Sequence, residues 1–210
     1  MNALKPLILI ATAALMISCA RSFNPDVERG ADYNFRLGYP EVQLTALNTW
    51  NEDQESNLQI TANVVYGSLF FKRFKEKRKA NLAIELQIRS IDSDSMVKST
   101  RFSYDQVVDS PNIATSQDVF TFNEIYKVEP GHYEIIFSLV DQNTGRKTTR
   151  RDRAHVLNPN AEQSFFTNIQ LFGKQVDDGQ RGSWIPIPTY DVAGKIDSLK
   201  FLFQVHNQKR

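Results

Sequence analysis

Cysteine is almost missing: Cys19 is the only one in 210 residues, so no second thiol exists to close a disulfide. Histidine is nearly as scarce. His132, His155 and His206 are the only three. They fall in separate strand-like segments without metal-ligand spacing, which argues against a histidine-built metal or catalytic centre. Charge of one sign is lacking too, because 25 Lys and Arg offset 24 Asp and Glu to leave +1. Any basicity is therefore local. Long apolar runs are absent but for Leu7 to Ile17, broken only by Thr12. That run falls short of the roughly 20 residues a spanning helix needs. No internal stretch carries the 3.6-residue apolar period of an amphipathic helix.

What is present begins at the N-terminus. Lys5 followed by the apolar run has the form of a secretory signal. The run ends in Met16-Ile17-Ser18-Cys19, which resembles the bacterial lipobox. The resemblance implies cleavage before Cys19 and a diacylglyceryl thioether on its sulfur. Two or more acyl chains then anchor the chain stably. Once lipidated, Cys19 leaves no thiol for a zinc–thiolate site or a cysteine nucleophile. Residues 20–23 carry no aspartate of the kind that marks inner-membrane retention. The address expected is the outer membrane, facing the periplasm.

The rest reads as strands. ANLAIELQIRSI, 80–91, alternates with period 2, placing Ala80, Leu82, Ile84, Leu86 and Ile88 inward. HYEIIFSLVD, 132–141, does the same through Tyr133, Ile135, Phe137 and Leu139. These two runs are expected to pack against each other across a two-sheet core. Further strands are expected at 42–50, 58–64 and onward through a bend at Gly67, 96–104, 118–128 and 147–157. RFKEKRK, 73–79, reads as a basic turn, and 105–117 as a long polar connection. About seven short strands argue for an all-β, immunoglobulin-like β-sandwich. The organisation expected is signal peptide 1–18, tether 19–39, sandwich 40–157, linker 158–163 and an incomplete second β-domain 164–210. In that last part, strands are expected at 164–174 and from 197, with the two prolines of 184–192 suiting an edge or cover segment.

Four segments, NFRLGYPEV (34–42), VVYGSLFFK (64–72), NTGRKTTRRD (143–152) and IPTYDVAGKIDSLKFLFQV (187–205), are similar to a known family. Together they resemble the N-terminal half of the bacterial GWxTD domain-containing proteins, which are outer-membrane lipoproteins. The resemblance spans about 33–206. It implies location and architecture rather than an activity. The Gly-Trp-x-Thr-Asp signature itself is absent, Gly182-Ser183-Trp184 being the nearest piece.

Two basic runs stand out as candidate partner-binding patches. One holds Lys72, Arg73, Lys75, Lys77, Arg78 and Lys79; the other holds Arg146, Lys147, Arg150, Arg151 and Arg153. They suit an envelope protein, a glycan or anionic headgroups, and equally serve as solvated strand edges that discourage pairing. Nucleic acid is not expected, since nothing resembles a nucleic-acid-reading fold. Asp92, Asp94, Asp177 and Asp178 are turn acids without the spacing of a calcium loop. Trp50, Trp184 and Tyr104 would favour a sugar platform if exposed, and packing if not. No cofactor or metal is expected. The function expected is a non-enzymatic binding or scaffold module. The alternative is an envelope glycan hydrolase with paired carboxylates about 5–9 Å apart.

Overall fold

The computed structural model describes residues 35–51, 53, 55–109, 112–113, 118–160, 164–175, 184–187 and 196–206. The signal run, Cys19 and most of the tether lie outside them, as do Asp177 and Asp178. Eight antiparallel strands make the main body. They are β1 (Val42–Trp50), β2 (Ser56–Val65), β3 (Lys72–Phe74), β4 (Lys77–Ser90), β5 (Ser95–Val108), β6 (Val119–Lys127), β7 (Gly131–Asp141) and β8 (Arg146–Val156). The smaller sheet has the order β1-β2-β6, and the larger runs β5-β4-β7-β8, with β3 paired to the start of β4.

With β3 set aside, strands one, two and five in sequence share one sheet. Strands three, four, six and seven share the other. That is the Greek-key order of an immunoglobulin-like sandwich in which the fourth strand pairs with the third. The all-β expectation is met.

The alternating residues of β4 do point inward: Ala80, Leu82, Ile84, Leu86 and Ile88 are all buried. So are Tyr133, Ile135, Phe137 and Leu139 of β7. Full burial of each Leu, Ile or Phe side chain among them is worth about 1.5–3 kcal/mol. The expectation that β4 and β7 face each other is corrected, however. They are hydrogen-bonded neighbours in one sheet, with Leu86 opposite Phe137. Alternation reports that one face of a strand is covered, not what covers it. The cover comes from Leu58, Ile60, Ala62 and Val64 of β2 and Phe122 of β6, all buried in the same cluster.

Other boundaries move for local reasons. The basic stretch 73–79 is no open turn but a hairpin, with Arg73 opposite Arg78 and Phe74 opposite Lys77. Strand β5 runs on to Val108 because Arg78 and Lys79 extend β4 to meet Val108 and Val107. Gly67 lies in a 3-10 turn, Tyr66–Ser68, rather than in a strand bend.

The first and last strands of the sandwich are joined by side chains. Arg150 Nε donates to Val42 O at 2.9 Å, and Asp152 Oδ2 accepts from Ala46 N at 2.8 Å. Thr148 Oγ1 donates to Pro40 O at 2.6 Å. An exposed row of unpaired backbone groups invites another strand, and here Val42 O and Ala46 N are taken.

Beyond the sandwich, the segment expected as one strand at 164–174 is split into β9 (Phe165–Phe166) and β10 (Gln170–Gln175). The remaining strands are β11 (Trp184–Pro186), β12 (Ile196–Leu202) and β13 (Val205–His206). β11 and β12 flank β10, so the Pro186-bearing piece is an edge, as its composition suggested. β9 pairs with β13. This segment closes the far end of the β1 edge: Asn168 Oδ1 accepts from Asn48 N at 2.9 Å. Gln204 accepts from Trp50 N at 2.7 Å and donates to Trp50 O at 2.8 Å.

Candidate functional site

The β3–β4 hairpin turns through Lys75 and Glu76. Lys75 sits in the left-handed region at φ 57°, where a non-glycine residue costs about 1–2 kcal/mol. Lys72, Arg73, Lys75, Lys77 and Arg78 are exposed, and Lys79 is partly so. Lys77 pairs with Asp109 at 3.1 Å and Lys79 with Asp105 at 2.8 Å. Between these cations stands Phe74, 47% exposed, with Lys75 and Lys79 ammonium groups 5.8 and 5.4 Å from its ring centroid. Phe70, just before the hairpin, is 40% exposed.

The second basic run divides by strand alternation. Arg150 is not a free patch residue: its Nη2 also meets both Glu41 carboxylate oxygens at 3.2 Å. Burial outweighs that pairing and lifts the Glu41 carboxyl above its ordinary range. Arg146 lies over the Tyr39 ring at 3.6 Å. Lys147, Arg151 and Arg153 are exposed, and Arg151 reaches Glu134 at 3.4 Å. Of this run, Arg146 alone lies beside the β7–β8 turn, whose Asn143 donates to Lys79 O of the first run.

That end of the sandwich is built around the β7–β8 turn. Asp141 is fully buried. Its carboxylate accepts from Phe70 N at 2.7 Å and Asn143 N at 2.8 Å. Asn143 Nδ2 donates to Phe70 O at 2.9 Å and Lys79 O at 3.2 Å, on both arms of the hairpin base. Gly145, at φ 71°, completes the turn. On its other side, Arg146 Nη1 donates to Gly38 O at 3.5 Å. The chain entering at 36–40 and the basic hairpin thus share one pole. Leu37, Tyr39, Phe70 and Phe74 are all exposed there.

His132 and His155 come from different strands yet are direct cross-strand partners, stacked with ring centroids 4.2 Å apart and planes 10° apart. Asp92 accepts from His132 N at 2.8 Å and meets His132 Nδ1 at 3.1 Å. The backbone N–H of His132 is the main reason the Asp92 carboxyl is held below its usual range. Asp94 pairs with Arg89. Among the described residues, no group of three or more His, Cys, Asp or Glu is arranged to hold a metal ion. The backbone of His206 lies opposite Phe165, in β13.

Of the aromatics, Tyr104 packs at 5.1 Å from Phe120 between the sheets. Trp50 meets Phe165 edge-on at 5.2 Å, joining the sandwich to the C-terminal strands. Trp184 is exposed, with Lys200 5.5 Å from its ring centroid. Other apolar residues of the C-terminal segment are also exposed. Phe166 is 65% exposed and Phe201 61%, and Ile169, Leu202, Phe203 and Val205 are exposed as well. Phe166 and Phe203 are 6.0 Å apart. The alternation through Leu199, Phe201, Phe203 and Val205 suggested a strand, and a two-residue period does not tell whether anything covers its apolar side.

No family model matches the chain, and no curated protein matches it. Among solved structures, the chain is similar to the CARDB domain of a Pyrococcus furiosus protein, crystallised in complex with di-metal ions. The two share 11% identity over 61% of this chain and 98% of that one, with a TM-score of 0.27. The immunoglobulin-like assignment rests on the strand order alone.

Proposed function

We propose that the protein is a non-enzymatic envelope lipoprotein of the GWxTD-like kind, anchored through Cys19, that works as a binding or scaffold module. The observation that carries this reading is the group of exposed apolar side chains in the C-terminal segment, with Phe166 and Phe203 6.0 Å apart. Exposed apolar clusters mark sites of protein association. Trp50, Asn168 and Gln204 fasten this segment to the end of β1 opposite the chain entry. A tethered domain then presents it away from its anchor. The partner class that fits is another envelope protein, bound through Phe166, Phe201 and Phe203.

Two measurements test the reading. Metabolic labelling with a fatty-acid probe is expected to mark the wild-type chain and not Cys19→Ser; absence of label from both would end the anchor proposal. Crosslinking and pull-down from envelope membranes is expected to recover a protein partner. The combined variant Phe166→Ser, Phe201→Ser and Phe203→Ser should lose it, while Arg151→Glu with Arg153→Glu should keep it. Turnover of an envelope polysaccharide by the wild-type chain, with no partner recovered, would replace the binding module by a hydrolase.

A further inference from the structure

We propose that the pole formed by the β3–β4 hairpin and residues 36–40 docks on an anionic lipid surface. The orientation it implies rests on the Cys19 anchor proposed above; the surface chemistry does not. Within 72–79, six cations face one acid, Glu76. Lys77 and Lys79 are balanced by Asp109 and Asp105. Lys72, Arg73, Lys75 and Arg78 remain as the outward charge of the hairpin, and Arg36 and Arg146 stand over Tyr39 beside it.

Charge alone would fit any polyanion. The apolar groups narrow the choice. Leu37, Tyr39, Phe70 and Phe74 are exposed on the same pole. Aromatic and aliphatic groups ringed by lysine and arginine match the headgroup boundary of a bilayer, where apolar bodies enter and cations stay with phosphate. Phe74 is held between two lysines, so inserting the ring brings the ammonium groups to headgroup level. The turn keeps a lysine at a position better suited to glycine or asparagine, which places charge at the tip at the expense of backbone ease.

Topology supplies the second argument. The chain arriving from Cys19 joins the sandwich at this pole, through the contacts of Gly38, Tyr39 and Pro40 with β8. An acylated Cys19 therefore holds this end toward the bilayer. β1, nine residues long, carries the fold about 30 Å away to Trp50 and the C-terminal strands. The lipid-facing and partner-facing ends are then opposite.

The test uses the mature chain, residues 19–210, with Cys19→Ser, so that binding is read without acyl chains. Co-sedimentation is measured with vesicles of phosphatidylcholine, with and without phosphatidylglycerol. The chain is expected to bind only the anionic vesicles, and less as salt rises. Combining Lys72→Gln, Arg73→Gln, Lys75→Asn and Arg78→Gln should lower that partition about 100-fold or more. Asparagine at 75 keeps the left-handed turn favourable, and circular dichroism checks that the sheet persists. Arg151→Gln with Arg153→Gln, near the other end of β8, should leave binding unchanged. No binding to anionic vesicles would overturn the proposal. So would equal binding to both vesicle types, or a quadruple variant that binds as before. Loss of a protein or acidic-glycan partner in the quadruple variant, with no vesicle binding by the wild type, would reassign the pole to that partner. Fatty-acid labelling reports the anchor separately, so either reading can fail without the other.

Discussion

Phe122→Ala is expected to cost about 3–5 kcal/mol of folding stability. Phe122 is 2% exposed and belongs to the three-stranded sheet. Its ring meets Phe137 at 5.4 Å, Phe102 at 5.2 Å and Tyr104 at 6.5 Å, all on the opposite sheet. It is thus the side chain that carries one sheet's packing into three aromatic residues of the other. Truncation removes the transfer energy of the ring and leaves a cavity that the two hydrogen-bonded sheets cannot close by sliding. Phe122→Leu, which keeps most of the volume, should cost less than half as much. Urea denaturation followed by circular dichroism measures both. A loss below about 1 kcal/mol for the alanine variant would mean that the two sheets do not close on this ring.

Much of this core was legible in the sequence. The even-numbered residues from Ala80 to Ile88, and the odd-numbered ones from Tyr133 to Leu139, read as inward and are inward. Each depends only on the two-residue period of a strand and on its neighbours in the chain. Pairing was not legible, because β4 and β7 are separated by two strands and either arrangement satisfies the same alternation. The candidate surfaces divide along the same line. Lys72 to Lys79 announced local basicity, but not that Phe74 and Phe70 would stand exposed beside it. The function of Arg150 was hidden because its partners, Glu41 and Val42 O, lie more than a hundred residues away. His132 and His155 show the limit most plainly. Their stacking follows from the β7–β8 register, which the turn at Asp141 to Gly145 sets.

That turn supports the second large effect. Asp141→Ala is expected to destabilise the sandwich by about 2–4 kcal/mol, because it strands two buried or half-buried amide donors. The donors are Phe70 N, at 2.7 Å, and Asn143 N, at 2.8 Å, on either side of the carboxylate. Losing the first frees the segment leading into the β3–β4 hairpin. Losing the second loosens the loop from which Asn143 grips Phe70 O and Lys79 O. Asp141→Asn retains one acceptor oxygen and should lose about half as much. The two substitutions should also differ from Phe122→Ala in where they act. Hydrogen exchange is expected to quicken at Phe70, Asn143 and the hairpin in Asp141→Asn, while the β2 and β4 amides stay protected. A stability change under about 0.5 kcal/mol for Asp141→Ala would show that water replaces the carboxylate without cost. Uniform loss of protection in Asp141→Asn would show that the hairpin is not a separately anchored unit.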